Sequence, residues 1–194
     1  MKREIFLSFK PDFFRPILYG IKKYEYRKRF CKEEATAYLY LSAPIQEVVG
    51  VLELGIPIIT SEIIKEYPKG TIIYDKIQRC IDNGEKFAIP IISLQLYKHP
   101  IPISKIKQLD ESFNIPQCYL NICNYKKVYN YLKTQKMYDV EFFNDHSGIY
   151  VDNFGSTCKE MELTSEFNNL DRIYTEKDKY KNIKSGYLTK DNRR

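Results

Sequence analysis

The segment Gly20–Arg27 brings an ammonium, a carboxylate and a guanidinium together in Lys22, Glu25 and Arg27. On a β-strand, Glu25 and Arg27 face the same side because they lie two positions apart, and Lys22 lies where such a strand would begin. If that side faces a cleft, the three groups can hold a phosphate, read a base edge or transfer a proton. The alternative is a solvated strand face with a surface ion pair, which periodicity by itself favours.

Basic and aromatic residues are interleaved around this segment. The basic residues are Lys22, Lys23, Arg27, Lys28, Arg29 and Lys32, and the aromatic ones are Tyr24, Tyr26 and Phe30. Beside a cleft, such a mixture provides phosphate contacts and surfaces on which bases stack. A flexible basic loop with buried aromatic rings is the alternative interpretation.

The remaining residues of catalytic or metal-binding type form no recognisable pattern. His99 and His146 are the only histidines, and no ligand spacing surrounds them, so we expect no metal and no cofactor. The five cysteines are irregularly spaced, which disfavours both a disulfide scaffold and a zinc site. Nothing in the sequence supports a Cys–His nucleophilic pair.

The elements that must position Lys22, Glu25 and Arg27 follow from hydrophobic periodicity and from breakers. Strands are predicted over 5–9, 24–28, 37–42, 48–54 and 87–97, and helices over 11–19, 60–67, 71–81 and 125–132. Gly50 predicts a bulge or a close backbone approach. Pro100 and Pro102 predict a stiff connector over 99–102, and Ser147-Gly148 predicts the turn of a small hairpin.

Strands therefore interleave with short helices of unequal length, without regular β-α-β alternation and without a glycine-rich phosphate loop. This pattern disfavours a doubly wound nucleotide fold. The predicted fold class is α+β: a small mixed or antiparallel β-barrel with short helices packed on it and a C-terminal extension.

Length and charge set the class of partner. The 194 residues carry 31 Lys and Arg against 25 Asp and Glu, a net charge of +6 that suits a polyanionic partner. Charged residues and prolines interrupt every apolar run, so no membrane span is expected. We expect no secretory leader and a cytoplasmic location.

The pattern G-x-K-x-x-E-x-R at Gly20–Arg27, preceded by Leu7-Ser8-Phe9-Lys10-Pro11, resembles the signature of the ASCH family in the PUA-like superfamily. Further segments resemble the family's later strands and its end segment in the same order. They are Tyr38–Pro44, Glu47–Glu53, Phe87–Ile89, Pro100–Ile103 and Ile115–Tyr119. The resemblance covers residues 3–122.

The resemblance implies a PUA-like β-barrel with a cleft beside the helix that follows the first strand. It also implies binding of nucleic acid, RNA or a modified nucleoside, with a regulatory role in translation or transcription. Lys22 and Arg27 would hold a phosphate or a base carbonyl, while Glu25 would accept from an exocyclic amine or orient Arg27. The nucleic-acid-binding candidates are Lys10, Lys22, Glu25, Arg27, Lys28, Gln117 and Tyr119.

Two other functions stay open. Some ASCH members are amidohydrolases acting on acylated cytidines, and others are ribonucleases, so Lys22 and Glu25 are candidate acid and base of a hydrolase. Where the amidohydrolases carry a threonine three residues after the lysine, this chain has Glu25, so that hydroxyl is missing. The third possibility is a protein-interaction module with a vestigial cleft.

The predicted domain organisation has three parts. Residues 1–124 form the barrel domain, and residues 125–164 form a C-terminal helix and a small hairpin. Residues 165–194 are polar with few apolar side chains, which predicts a mobile tail.

Overall fold

The computed structural model describes residues 2–176. Within them, eight strands form a mixed sheet curled into a half-barrel, and the chain between the strands contains seven α-helices. The strands are β1 (Arg3–Phe9), β2 (Tyr24–Arg27), β3 (Ala35–Leu41), β4 (Glu47–Leu54), β5 (Ile58–Ile59), β6 (Phe87–Pro102), β7 (Tyr119–Asn121) and β8 (Met137–Phe143). The helices are α1 (Phe14–Leu18), α2 (Thr60–Ile63), α3 (Ile72–Asp82), α4 (Ile103–Leu109), α5 (Lys126–Lys133), α6 (Cys158–Glu162) and α7 (Ser165–Glu176). The predicted α+β barrel class is confirmed.

The sheet has the strand order β2-β6-β4-β3-β1-β7, and β5 and β8 also pair with β6. β1 and β3 run parallel, with Phe6 opposite Tyr38, while the other pairs are antiparallel. The 16-residue β6 is long enough to pair with β2 at its start and with β4 farther along. Because β2 pairs with β6, the Lys22–Arg27 segment is held at one end of the half-barrel.

Alternation in β1 places side chains in two apolar layers. Ile5, Leu7 and Phe9 enter the core enclosed by the sheet, whereas Phe6 packs on the outer face beneath α4 and α5. A third apolar cluster lies under α3, where Ile73 and Ile77 are buried. The apolar stripes predicted for α3 and α5 thus belong to two different clusters.

Gly50 sits at a register shift between β3, β4 and β6, as predicted. A Cβ at this position would lie 2.3 Å from the Gln95 carbonyl oxygen, closer than side-chain carbons approach backbone. The absence of a side chain at Gly50 therefore permits the close approach of β4 and β6.

Two local predictions are wrong. Residues 99–102 continue β6 rather than forming a connector, and Val48 pairs with Ile101. The register shift between Val48 and Gly50 leaves Pro100 outside the β4 ladder, where its missing N–H costs no hydrogen bond. The predicted hairpin is replaced by β8, because Phe142 pairs with Leu94 of β6 and packs on the core.

Residues 165–176 form α7 and pack on the fold, which differs from the predicted mobile tail. Phe167 is buried against Tyr19, and Asp171 pairs with the buried Arg15 of α1. Phe167, Leu170 and Tyr174 pack on the core from one face of this helix, whereas Ile173 is exposed. Residues 177–194 lie outside the described residues, and the domain division after residue 124 stays a prediction.

Residues 2–176 contain no helix that is both long and apolar enough to span a membrane. In the same part of the chain, no three His, Cys, Asp or Glu side chains are grouped as metal ligands would be.

Candidate functional site

β2 and the turn before it position the three charged residues. α1 ends at Leu18, and Gly20 reverses the chain in the left-handed region at φ +70°. The Lys22 N–H then donates to the Pro16 carbonyl at 2.9 Å, which directs Lys22 toward the start of β2. Glu25 pairs with Ile89 and Arg27 with Phe87, so both side chains emerge from the same face of β2.

Glu25 stands between two cations. Its Oε2 lies 3.3 Å from Lys22 Nζ, and its Oε1 lies 2.7 Å from Arg27 Nε. The exposed fractions of these side chains are only 7% for Lys22, 8% for Glu25 and 15% for Arg27. The structure therefore contradicts the exposed surface pair that periodicity favoured. Burial weakens solvent screening, so each charge strongly determines how its neighbours are placed.

Arg27 also ties β2 to the end of β1. Its Nη2 donates to the Ser8 carbonyl at 3.0 Å, and its guanidinium carbon lies 5.0 Å from the centre of the Phe9 ring. A guanidinium has five N–H groups, and these contacts occupy only part of them. Arg27 Nη1 also contacts the Cys118 sulfur at 3.9 Å. The guanidinium still has further N–H groups for a ligand where Arg27 borders the outer spaces of the fold.

Three neighbouring clefts surround this group and meet at Tyr26. The inner cleft, of about 180 Å³, is lined by Phe13, Lys22, Glu25, Tyr26, Arg79, Cys80, Asn83, Glu85 and residues 155–158. The outer cleft, of about 470 Å³, is lined by residues 8–10, Phe13, Glu25, Tyr26, Arg27, Ser42 and residues 115–117. The side cleft, of about 330 Å³, is lined by residues 26–29, Glu85, Gln117 and Cys118.

Six of the seven predicted nucleic-acid-binding residues line these clefts. They are Lys10, Lys22, Glu25, Arg27, Lys28 and Gln117. Tyr119 lines none of the three, because it lies on β7 and its ring packs on Phe30. Lys23 also turns away, and its ammonium donates to the Asn144 side chain at 2.5 Å.

The residues that complete the walls were not predicted from the sequence. Phe13 is 39% exposed and borders both the inner and the outer cleft. Glu85 borders the inner and side clefts, and residues 155–158 close the inner cleft from far along the chain. The Tyr26 hydroxyl fixes that segment by accepting from the Gly155 N–H at 2.5 Å, and burial raises the pKa of Tyr26. Local sequence patterns do not predict these residues, because the cleft walls are formed by segments that are distant in the chain.

Two thiols line the inner cleft, and neither is a reactive thiolate. Burial, with Glu85 as a further cause, raises the pKa of Cys80 to about 12. Burial also raises the pKa of Cys158. Both sulfurs are therefore protonated at neutral pH, so they provide weakly polar walls rather than nucleophiles.

His146 has a structural environment away from the clefts. Its Nε2 lies 3.1 Å from the Ile91 carbonyl oxygen, and its ring makes edge contacts with Tyr24 and Tyr150. Burial lowers the pKa of His146, which keeps the ring neutral. This histidine packs the segment after β8 onto β6.

No protein-family model matches the sequence, and no curated protein matches it. Solved structures do match. The crystal structure of ASCH from Zymomonas mobilis superposes with a TM-score of 0.51 at 19% identity, over 69% of this chain and 96% of that one. The chain has an ASCH-type fold.

Two substituted forms of the same Zymomonas mobilis protein show the same ASCH-type fold. A serine-to-alanine mutant gives a TM-score of 0.53 at 19% identity, over 70% of this chain and 98% of that chain. A tyrosine-to-phenylalanine mutant gives 0.51 at 18%, over 70% of this chain and all of the other. Identity this low supports the fold only, and about 30% of this chain lies outside the shared part.

Proposed function

We propose that the clefts bind nucleic acid, with a single-stranded RNA or a modified nucleoside seated beside Lys22, Glu25 and Arg27. The observation that carries the proposal is the convergence of the buried Lys22 and Glu25 and the partly buried Arg27 where the clefts meet, with exposed cations at the rim. The rim cations are Lys10, Lys28 and Arg29. Their charges suit phosphates, and the recessed group suits one base.

Each charged side chain has a distinct role in this proposal. Arg27 presents its remaining N–H groups to a base carbonyl or a phosphate, and Lys22 contributes a second cation in the inner cleft. Both oxygens of Glu25 already contact a cation, so Glu25 orients Arg27 and Lys22. Phe13, exposed between two clefts, offers a face on which an unpaired base stacks.

The ASCH-type fold supports the same assignment by analogy, since PUA-like folds are associated with RNA. Binding of this kind suits a cytoplasmic regulatory role in translation or transcription.

Hydrolysis of a modified nucleoside or of RNA is the second candidate, and Glu85 is the observation that favours it. Glu85 lines the inner cleft with Lys22, which adds a second carboxylate to the candidate acid–base group. Water would add across the scissile bond, with a carboxylate taking its proton and the leaving group receiving one. The cation contacts of Glu25 make Glu85 the better candidate base.

The test is a binding screen of single-stranded RNA, single-stranded DNA, duplexes and free modified nucleosides at two salt concentrations, with product analysis of each sample. Arg27→Lys keeps the charge and loses the fork of donors, so its affinity should fall roughly tenfold or more. Arg172→Lys, an exposed arginine on α7, is the matched control and should bind like the wild type.

The outcomes separate the alternatives. If the wild type and Arg27→Lys bind with equal affinity, Arg27 does not recognise the ligand through its guanidinium. Product that forms with the wild type and disappears with Glu85→Gln would establish the hydrolase instead. If the folded wild type binds no nucleic acid and no nucleoside, the remaining hypothesis is a protein-interaction module with a vestigial cleft.

A further inference from the structure

Two neighbouring segments of the chain carry lysines and no acidic residue. Residues 98–109 and 112–138 contain seven lysines and no aspartate or glutamate. A general excess of lysine would not remove the acidic residues from these two segments. We call these seven residues the lysine face: Lys98, Lys105, Lys107, Lys126, Lys127, Lys133 and Lys136.

The fold brings these lysines into one layer on the outside of the half-barrel. Ile106 of α4 and Val128 and Leu132 of α5 share the apolar cluster that covers the outer face of the sheet. The Lys98 N–H donates to the Lys136 carbonyl at 2.9 Å, which joins the end of the face to the same layer. All the ammonium-bearing side chains are exposed except that of Lys105, which is half-buried.

Tyrosines hold several of these ammonium groups at the surface. Lys133 Nζ lies 5.0 Å from the centre of the Tyr129 ring and contacts its hydroxyl at 3.3 Å. Lys105 lies 5.9 Å from the Tyr131 ring, and Lys98 lies 5.8 Å from that of Tyr138. Carboxylates border the face at Glu4, Asp110, Glu111 and Asp139 without interrupting α4 or α5. Cations interleaved with aromatic rings suit a single-stranded polyanion.

The lysine face is continuous in the chain with the outer cleft. Residues 115–117, which line that cleft, belong to the same acid-free segment and connect α4 to β7. Among the described residues, no large exposed hydrophobic side chain lies on α4 or α5. An amphipathic helix that inserts into a membrane would present such side chains, so the composition favours a nucleic acid over insertion into a lipid surface.

We propose that the lysine face binds the phosphate backbone of an RNA strand as it leaves the outer cleft. The identity of this partner rests on the function proposed above, while the face itself is a separate surface with its own contacts. Contacts to phosphate carry no sequence information, so the face would add affinity and salt dependence without altering which base the clefts accept.

The experiment compares two single-stranded RNAs. The shorter, of about four nucleotides, fills only the clefts, and the longer, of about twenty nucleotides, is long enough to extend from the clefts onto the lysine face. The face variant and its control remove the same number of charges from exposed lysines. The face variant combines Lys126→Gln, Lys127→Gln and Lys133→Gln, and the control combines Lys65→Gln, Lys69→Gln and Lys159→Gln.

The face variant should lose roughly tenfold in affinity for the long RNA, with the slope of log affinity against log salt reduced by about 2. Its affinity for the short RNA should be unchanged, and the control should match the wild type on both. Equal losses in the two variants, or none in the face variant, would overturn the proposal. The proposal would also be overturned if the face variant lost binding to phosphatidylserine vesicles but kept its affinity for RNA. That result would assign the face to a membrane surface.

The same measurements distinguish the two proposals. If the short RNA binds through Arg27 while the face variant keeps full affinity for the long RNA, the cleft proposal stands and the face proposal fails. If long RNA depends on the face while Arg27→Lys changes nothing, the face proposal stands and the cleft proposal fails.

Discussion

Arg27 connects β2 to β1 through the Ser8 carbonyl while it neutralises the buried Glu25. Arg27→Ala removes one of two cations from a buried carboxylate, so we expect the free energy of unfolding to fall by about 3 kcal/mol. A surface pair would instead contribute well under about 1 kcal/mol. Urea unfolding distinguishes the buried pair from a surface pair. Arg27→Lys retains a cation beside Glu25, so its free energy of unfolding should fall much less. A loss in Arg27→Ala within error of zero would show that Lys22 suffices for Glu25.

Phe13 tests whether an unpaired base stacks between the inner and outer clefts. Phe13→Ala should weaken single-stranded RNA binding by roughly 1–3 kcal/mol, the range for loss of one stacked base, and Phe13→Trp should preserve it. Phe143→Ala is the control, because Phe143 is 75% exposed on β8 and lines none of the three clefts. Fluorescence titration of labelled RNA measures all three. Similar losses for Phe13→Ala and Phe143→Ala would mean that no ring stacks specifically.

Cys80 should resist alkylation although it lines the inner cleft. With a pKa of about 12, roughly one Cys80 thiol in ten thousand is ionised at pH 8, and iodoacetamide reacts with the thiolate. The exposed Cys123 should therefore react first in the folded protein. Peptide mass spectrometry over a time course gives both rates. Alkylation of Cys80 as fast as Cys123 would mean that the inner cleft stabilises a thiolate after all.

At the scale of elements, α7 determines how firmly α1 is held. Phe167 and Asp171 of α7 contact Tyr19 and Arg15, and the Tyr19 hydroxyl donates to Asp171 at 2.6 Å. α1 directly precedes the turn into β2, so this docking supports the position of Lys22.

Phe167→Ala should therefore lower the free energy of unfolding by about 3–5 kcal/mol, as expected for deletion of a fully buried ring. Ile173→Ala, at an exposed position of the same helix, should change it by less than about 0.5 kcal/mol. Thermal and urea unfolding provide the comparison. If both substitutions have the same small effect, α7 is not packed on α1 in solution.

At the scale of the whole molecule, the sheet extends beyond the predicted barrel domain. β8 pairs with β6, Phe142 packs on the core, and α5 covers the outer apolar layer over Phe6. A fragment of residues 2–124 would expose these surfaces to water, since each loses its covering element.

We therefore expect the 2–124 fragment to unfold at a lower urea concentration than the 2–176 fragment, or to fail to fold cooperatively. Circular dichroism during urea titration measures both transitions. Equal midpoints would show that residues 1–124 are a self-sufficient domain, as the sequence analysis predicted.

The sequence by itself determined features that depend on neighbouring residues. Period-two alternation placed Glu25 and Arg27 on one face, Gly20 marked the chain reversal after α1, and periodicity located α3 and α5. Gly50 also predicted a close backbone approach, but its type alone did not identify Gln95 as the neighbouring residue. These signals are local because side-chain direction in a strand or helix follows from backbone geometry alone.

Only the tertiary structure decided which surfaces face water. Glu25 is buried and Arg27 partly buried because β6 and the end of β1 lie against β2. Residues 155–158 close the inner cleft from more than a hundred positions beyond β2. Two lysine-bearing segments became one face only when α4 and α5 packed on the same sheet. Local propensity cannot encode such arrangements, because their free energy comes from apolar surface buried between elements distant in the chain.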